Sequence, residues 1–162
     1  MQKAVCLLLL IGFPVALALS QVVPADKIPA PVIQALQSKF PGVKSVEWKV
    51  AKDNNLEAEF TLKGISITVK FDPAGKWLET ESQISSVQVP KAVVDALTKK
   101  FVGYKIVETQ NLQLYNDARM SYEIHLDNKK EILKVVLAAD GTIQSQSTKP
   151  KKMTRITRIT RI

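Results

Sequence analysis

From Val46 onward the chain alternates between apolar and polar positions with a regularity that defines strands. Val46, Trp48 and Val50 alternate with Ser45, Glu47 and Lys49. Leu56, Ala58, Phe60 and Leu62 alternate with Glu57, Glu59, Thr61 and Lys63, and Ile65, Ile67, Val69 and Phe71 with Ser66, Thr68 and Lys70. A period of two puts one set of side chains on a buried face and the other in water. It predicts three strands with turns at Asp53-Asn54-Asn55 and Gly64, then a turn at Asp72-Pro73-Ala74-Gly75 and a fourth strand over Lys76–Ile84. Such short connections make neighbouring strands antiparallel. Ahead of them, Val32, Ile33, Ala35, Leu36 and Phe40 follow a helical period. Pro29 and Pro31 suit the first turn of that helix, and Pro41-Gly42 closes it.

The second half repeats the programme. Ala35, Leu36, Phe40 and Gly42 match Ala96, Leu97, Phe101 and Gly103 at an offset of 61 residues, and the run Val69–Gly75 answers Val135–Gly141 at an offset of 66. The difference places an insertion around Leu114–Arg119. A helix over Lys91–Phe101 is predicted, followed by a strand through Tyr104–Leu114, a hairpin of Met120–Leu126 with Glu131–Leu137, and a last strand over Thr142–Ser147. The expected fold class is α+β, a tandem duplication of a helix plus a four-stranded antiparallel sheet, with the helices packed on one face. The units span residues 21–86 and 87–148. Neither could bury much alone, so the two are expected to share one sheet or one interface.

Composition changes this picture at both ends. Residues 1–20 read as a signal peptide, with Lys3, an apolar run Ala4–Leu19 and small residues before Gln21. That run is about 16 residues and contains Pro14, short for a spanning helix, which needs roughly 20. The expectation is an exported protein, periplasmic or secreted after cleavage. Cys6 is the only cysteine, so the remainder can hold no disulfide and no thiolate site. The formal charge of +8 is equally uneven. Without Lys3 and the six basic residues of the final segment, 16 basic residues face 15 acidic ones, which leaves no footprint for nucleic acid. Residues 149–162 are a basic low-complexity tail ending in three Thr-Arg-Ile triplets.

The motifs in this order resemble the PepSY-like family of secreted bacterial proteins, also described as β-lactamase-inhibitor-like. Phe40-Pro41-Gly42, Val46-Glu47-Trp48, Phe71–Glu79, Val89-Pro90, Phe101–Val107, Tyr122-Glu123 and Asp140-Gly141 carry the resemblance, which covers about Ile28–Ser147. Val102 stands where the family pattern has proline, and the basic tail is not part of that pattern. The resemblance implies tandem helix-plus-strand units, an exported location and no catalytic residues to carry over. Related modules in propeptides that restrain proteases point to binding or inhibition, an analogy of fold rather than of site.

The residues themselves favour binding over catalysis. His125 is the only histidine and falls on the polar phase of a strand, where a solvated surface imidazole is expected. Glu57 and Glu59 share a face, with Lys49, Lys63 and Lys70 placed for cross-strand ion pairs. No metal, cofactor or phosphate loop is indicated. A sheet with helices on one side leaves a broad wet face as the candidate surface for binding an unidentified protein or peptide, inhibition of an exported enzyme being one form of such binding. Glu57 and Glu59 lie on it, and Trp77, Tyr104 and Tyr115 are the aromatic candidates. Alternation leaves Trp77 open between core plug and exposed anchor. Ile132 and Val136 fall on the nominally wet phase, and packing between the two halves is the expected reason. The alternative is an envelope-associated structural protein held at an anionic membrane surface by Lys151, Lys152, Arg155, Arg158 and Arg161.

Overall fold

The computed structural model of the chain describes residues 21–51 and 53–150. The expected signal segment and Lys151, Lys152, Arg155, Arg158 and Arg161 lie outside the described residues. Two helices, α1 (Ala30–Lys39) and α2 (Lys91–Lys100), start behind Pro29 and Pro90, whose fixed φ is already close to helical. Each buries one narrow stripe, Val32 and Leu36 in α1 and Val93 and Leu97 in α2. No helix among the described residues is long and apolar enough to cross a membrane.

The strands are β1 (Gln21–Val23), β2 (Glu47–Val50), β3 (Leu56–Leu62), β4 (Ile65–Phe71), β5 (Trp77–Gln83), β6 (Lys105–Leu114), β7 (Asp117–Asp127), β8 (Glu131–Ala138) and β9 (Ile143–Pro150). They form one antiparallel sheet in sequence order from β1 to β9. This corrects the expected fold class. The chain is not a tandem of helix-plus-four-strand units but a single nine-stranded sheet carrying two short helices. The physical reason is the pairing of β5 with β6, from Glu79↔Leu114 to Gln83↔Gln110, which uses strand edges that separate sheets would leave open. β1, ahead of the strands that alternation predicts, pairs with β2.

Directly opposed residues share a face, and the register therefore places both helices on the same side. Trp48, Ala58, Val69, Thr80 and Gln113 form one row, and Ile67, Ser82, Asn111, Tyr122 and Leu137 another. The apolar core on that side is in two clusters. One joins Val32 and Leu36 to Trp48, Phe60, Val69 and Phe71, the other Val93 and Leu97 to Ile124, Leu126, Val135 and Leu137. Between them β5 and β6 present Thr80, Ser82, Thr109 and Asn111. The buried Thr109 hydroxyl donates to the Ile84 carbonyl at 2.7 Å, so the seam is held by hydrogen bonds rather than by apolar packing.

Two turns lock the helices onto the sheet. Gly75, between β4 and β5, and Gly141, between β8 and β9, both have φ of +87°. A Cβ at Gly75 would lie 2.7 Å from the carbonyl oxygen of Pro31, and one at Gly141 2.5 Å from that of Ala92. Only glycine allows the turn and the close approach together. Gly141→Ala should therefore lower stability by at least about 2 kcal/mol, from left-handed strain plus the displacement of α2. A urea titration of the two chains measures this, and an unchanged midpoint would refute the helix–turn contact.

Candidate functional site

The face opposite the helices is polar and closely paired. Three of its lysines each contact two glutamates, on their own strand or across strands. Lys49 of β2 lies 2.9 Å from Glu47 and 2.5 Å from Glu59 of β3. Lys70 of β4 lies 2.7 Å from Glu79 of β5 and 3.7 Å from Glu57 of β3. Lys134 of β8 lies 2.5 Å from Glu123 of β7 and 3.5 Å from Glu81 of β5. The chain of charges continues through His125, whose Nε2 is 2.9 Å from Glu123 and whose Nδ1 is 2.6 Å from Glu108.

The Lys134–Glu81 contact shows how the face is shaped. β8 and β5 are separated by β6 and β7, a span of about 14 Å in a flat sheet. The charged ends meet at 3.5 Å because the sheet curls toward this side. The curl makes a cleft of about 320 Å³ lined by residues of β3 through β8, among them Glu57, Glu59, Lys70, Glu79, Glu81, Glu108, Glu123, His125 and Lys134. A β-bulge aims one of these groups. Ile106 pairs with Leu126, but the next pair is Glu108↔His125, with Val107 skipped and turned into solvent. Without that extra residue Val107 would stand opposite the imidazole.

The floor of the cleft is buried. Glu123 is 2% exposed, and Leu112 and Val136 on the same face are buried beside it. Burial acts against the Glu123 charge, but the His125 and Lys134 bonds outweigh it and hold the carboxyl far down, at about 2. Its Oε2 has no well-directed hydrogen bond and is compensated by the Lys134 ammonium as an ion pair. Glu81 has the opposite balance. Burial and then the Glu123 charge push it up to about 7, against the pull of Lys134. Burial lowers the Lys134 ammonium, yet Glu81 and Glu123 together leave it raised.

His125 is therefore not the solvated surface imidazole expected of its strand phase, and its side chain is only 14% exposed. The polar cleft does converge on it. Both ring nitrogens face carboxylates, however, Nε2 that of Glu123 and Nδ1 that of Glu108, so neither is left open to a substrate hydroxyl.

The aromatic candidates lie elsewhere. A bulge between Phe71↔Trp77 and Lys70↔Glu79 turns Trp77 to the helix side, where it packs against the first core and donates from Nε1 to the Thr80 hydroxyl at 2.9 Å. Tyr115, 57% exposed, meets the Trp77 ring edge-on at 6.3 Å, with Lys39 over Trp77 and Lys76 over Tyr115. Tyr104 packs on Phe101 and donates to Glu131 at 2.5 Å. Of the five candidates on the folded part, Glu57 and Glu59 line the cleft, Trp77 and Tyr115 meet on the other side, and Tyr104 joins neither group. Sequence reasoning missed Glu79, Glu81, Glu108, Glu123 and Lys134. The available signal was the recurrence of Glu57/Glu59 spacing in Glu79/Glu81 and Glu123/His125. A larger hollow of about 970 Å³ beside β1–β3 is shallow and open, and neither Glu123 nor His125 reaches it.

Comparison with known proteins agrees with this architecture. The family described as "Putative beta-lactamase-inhibitor-like, PepSY-like" matches residues 49–145. No curated protein matches the chain. A DUF2874 family protein from Bacteroides uniformis is similar in structure at 20% identity and a TM-score of 0.65, over 74% of this chain and 88% of its own. A protein from Bacteroides eggerthii described as one of the "putative periplasmic proteins" is similar at 19% identity and a TM-score of 0.65, over 74% and 88%. A BLIP-like protein from Bacteroides fragilis is similar at 19% identity and a TM-score of 0.60, over 78% and 87%. Identities this low speak to the fold alone.

The two perturbed carboxylates predict opposite effects on stability. Glu81 titrates near 7 in the folded chain against an ordinary 4.5, so the folded state binds more protons in that window and loses stability as pH rises through it. Glu81→Gln should raise the urea midpoint at pH 8 by an amount equivalent to on the order of 2 kcal/mol, and leave it unchanged at pH 4. Lys134→Met should cost about 3 kcal/mol at pH 7, because Glu123 then stays buried without its ammonium. Equal responses at both pH values for Glu81→Gln would contradict this assignment.

Proposed function

Because the chain belongs to the PepSY-like, beta-lactamase-inhibitor-like family, we propose that it is an exported, non-catalytic module that binds a protein or peptide on its concave charged face. The observation that carries this reading is the charge imbalance of an open cleft. Six glutamates line it against Lys70 and Lys134, and each lysine is already divided between two carboxylates. A partner bearing lysine or arginine completes that balance, and arginine can meet a carboxylate with two parallel hydrogen bonds. The blocked nitrogens of His125 support a binding role over a hydrolytic one. Inhibition of an exported enzyme is the form of binding that the family description suggests, and the periplasmic likeness supports export.

Reversing charge at the open rim tests the reading. Glu59, with a side chain 38% exposed, and Glu57 beside it can be changed without touching the floor of the cleft. The double variant Glu57→Lys, Glu59→Lys should lose capture of an envelope partner by at least about tenfold while keeping the circular dichroism of the parent. Undiminished capture would overturn the assignment to this face. If Tyr115→Ser abolished it instead, the contact would belong to the aromatic pair on the helix side.

A further inference from the structure

The charge of the basic segment is the complement of the cleft. Residues 151–162 contain Lys151, Lys152, Arg155, Arg158 and Arg161 and no acidic residue. We propose that this segment is an intramolecular occupant of the charged cleft, which a cationic partner must displace in order to bind. The proposal rests on the cleft being the binding surface.

Position, length and spacing support it. Pro150 pairs with Glu131, three residues before Lys134 on β8, so the described chain ends about 10 Å along the strand from the cleft. Glu81 lies three strands beyond β8, about 14 Å away in a flat sheet and closer in this curled one. Twelve further residues can reach up to roughly 40 Å, enough to round the β9 edge and cross the whole cleft. In the threefold polyproline II conformation residues three apart share one face and lie about 9 Å from one another, close to two strand spacings. The cleft glutamates recur at that interval, with Glu57 and Glu59 on β3, Glu79 and Glu81 on β5 and Glu123 on β7, and Arg155, Arg158 and Arg161 recur every third residue. The outermost carboxylates, Glu59 and Glu108, have side chains 38% and 42% exposed, so a guanidinium can reach them at little desolvation cost. The site is the same one a partner would use, which makes the segment a built-in competitor acting at high effective concentration.

His125 is the only histidine, so its imidazole resonances report on the cleft without ambiguity. Residues 21–162 would be compared with the same chain carrying Lys151→Gln, Lys152→Gln, Arg155→Gln, Arg158→Gln and Arg161→Gln. At low salt the His125 resonances should differ between the two, independently of protein concentration, and the difference should collapse in about 0.5 M salt. A synthetic peptide of the sequence of residues 151–162 should bind the neutralised chain at least about tenfold more tightly than the native one. Identical His125 resonances at low salt would overturn the proposal, and the peptide then separates the causes. A peptide that shifts His125 equally in both chains preserves the cleft as a binding surface and removes only the internal occupant. One that shifts it in neither removes the cleft reading too. A difference that grows with protein concentration assigns the segment to the cleft of a second copy. Binding of the native chain to phosphatidylglycerol vesicles, with His125 indifferent to the substitutions, assigns it to a lipid surface.

Discussion

The pairing of β5 with β6 is the constraint on which the rest of this structure depends. Each helix has its own apolar cluster, and among the described residues the two clusters share no member. The ladder between Glu79–Gln83 and Gln110–Leu114, together with the Thr109 hydroxyl bond to Ile84, makes one sheet of them. Once the ladder forms, the glutamates of β3 and β5 and the charged groups of β6, β7 and β8 lie on one continuous surface. Separate sheets would hold the same residues and no cleft.

Curling converts that surface into a site with unequal members. Lysines shared between pairs of carboxylates are a compact way to keep many glutamates on one face, since each ammonium offsets two neighbours. The cost falls unevenly as the cleft deepens. Glu123, at the floor, has both Lys134 and His125 and stays charged at every ordinary pH. Glu81 has the longer of the two Lys134 contacts and titrates near neutrality. A surface of this kind is poorly suited to proton transfer from His125, whose nitrogens are committed, and well suited to receive a cation. The family match and the low-identity structural likenesses bear on the fold, whereas the particular charges belong to this chain.

Much of the local structure was legible in the residues. The alternation through Trp48, Phe60 and Val69 identified buried positions that are 6% exposed or less, and the turns at Gly64, Gly75 and Gly141 fall where the polar clusters lie. One edge of the candidate site was legible as well, since Glu57 and Glu59 have the face and the lysine partners expected of them. Other positions depended on ladder irregularities that no local pattern marks. The bulge beside Leu78 decides that Trp77 faces the helices, and the bulge at Val107 decides that Glu108 meets His125.

By itself, then, the sequence determined the two helices and the strands from β2 onward, which face of most of those strands is apolar, and where the chain turns. Those properties follow from periodicity and backbone preference within a few residues. Tertiary structure alone decided that the strands form one sheet rather than two, that the sheet curls, and that Glu81, Glu108, Glu123, His125 and Lys134 converge. Convergence joins residues up to 53 positions apart, as in Lys134 and Glu81, through the summed curvature of four adjacent strands. Curvature of that kind belongs to the assembled sheet, so no single segment encodes it.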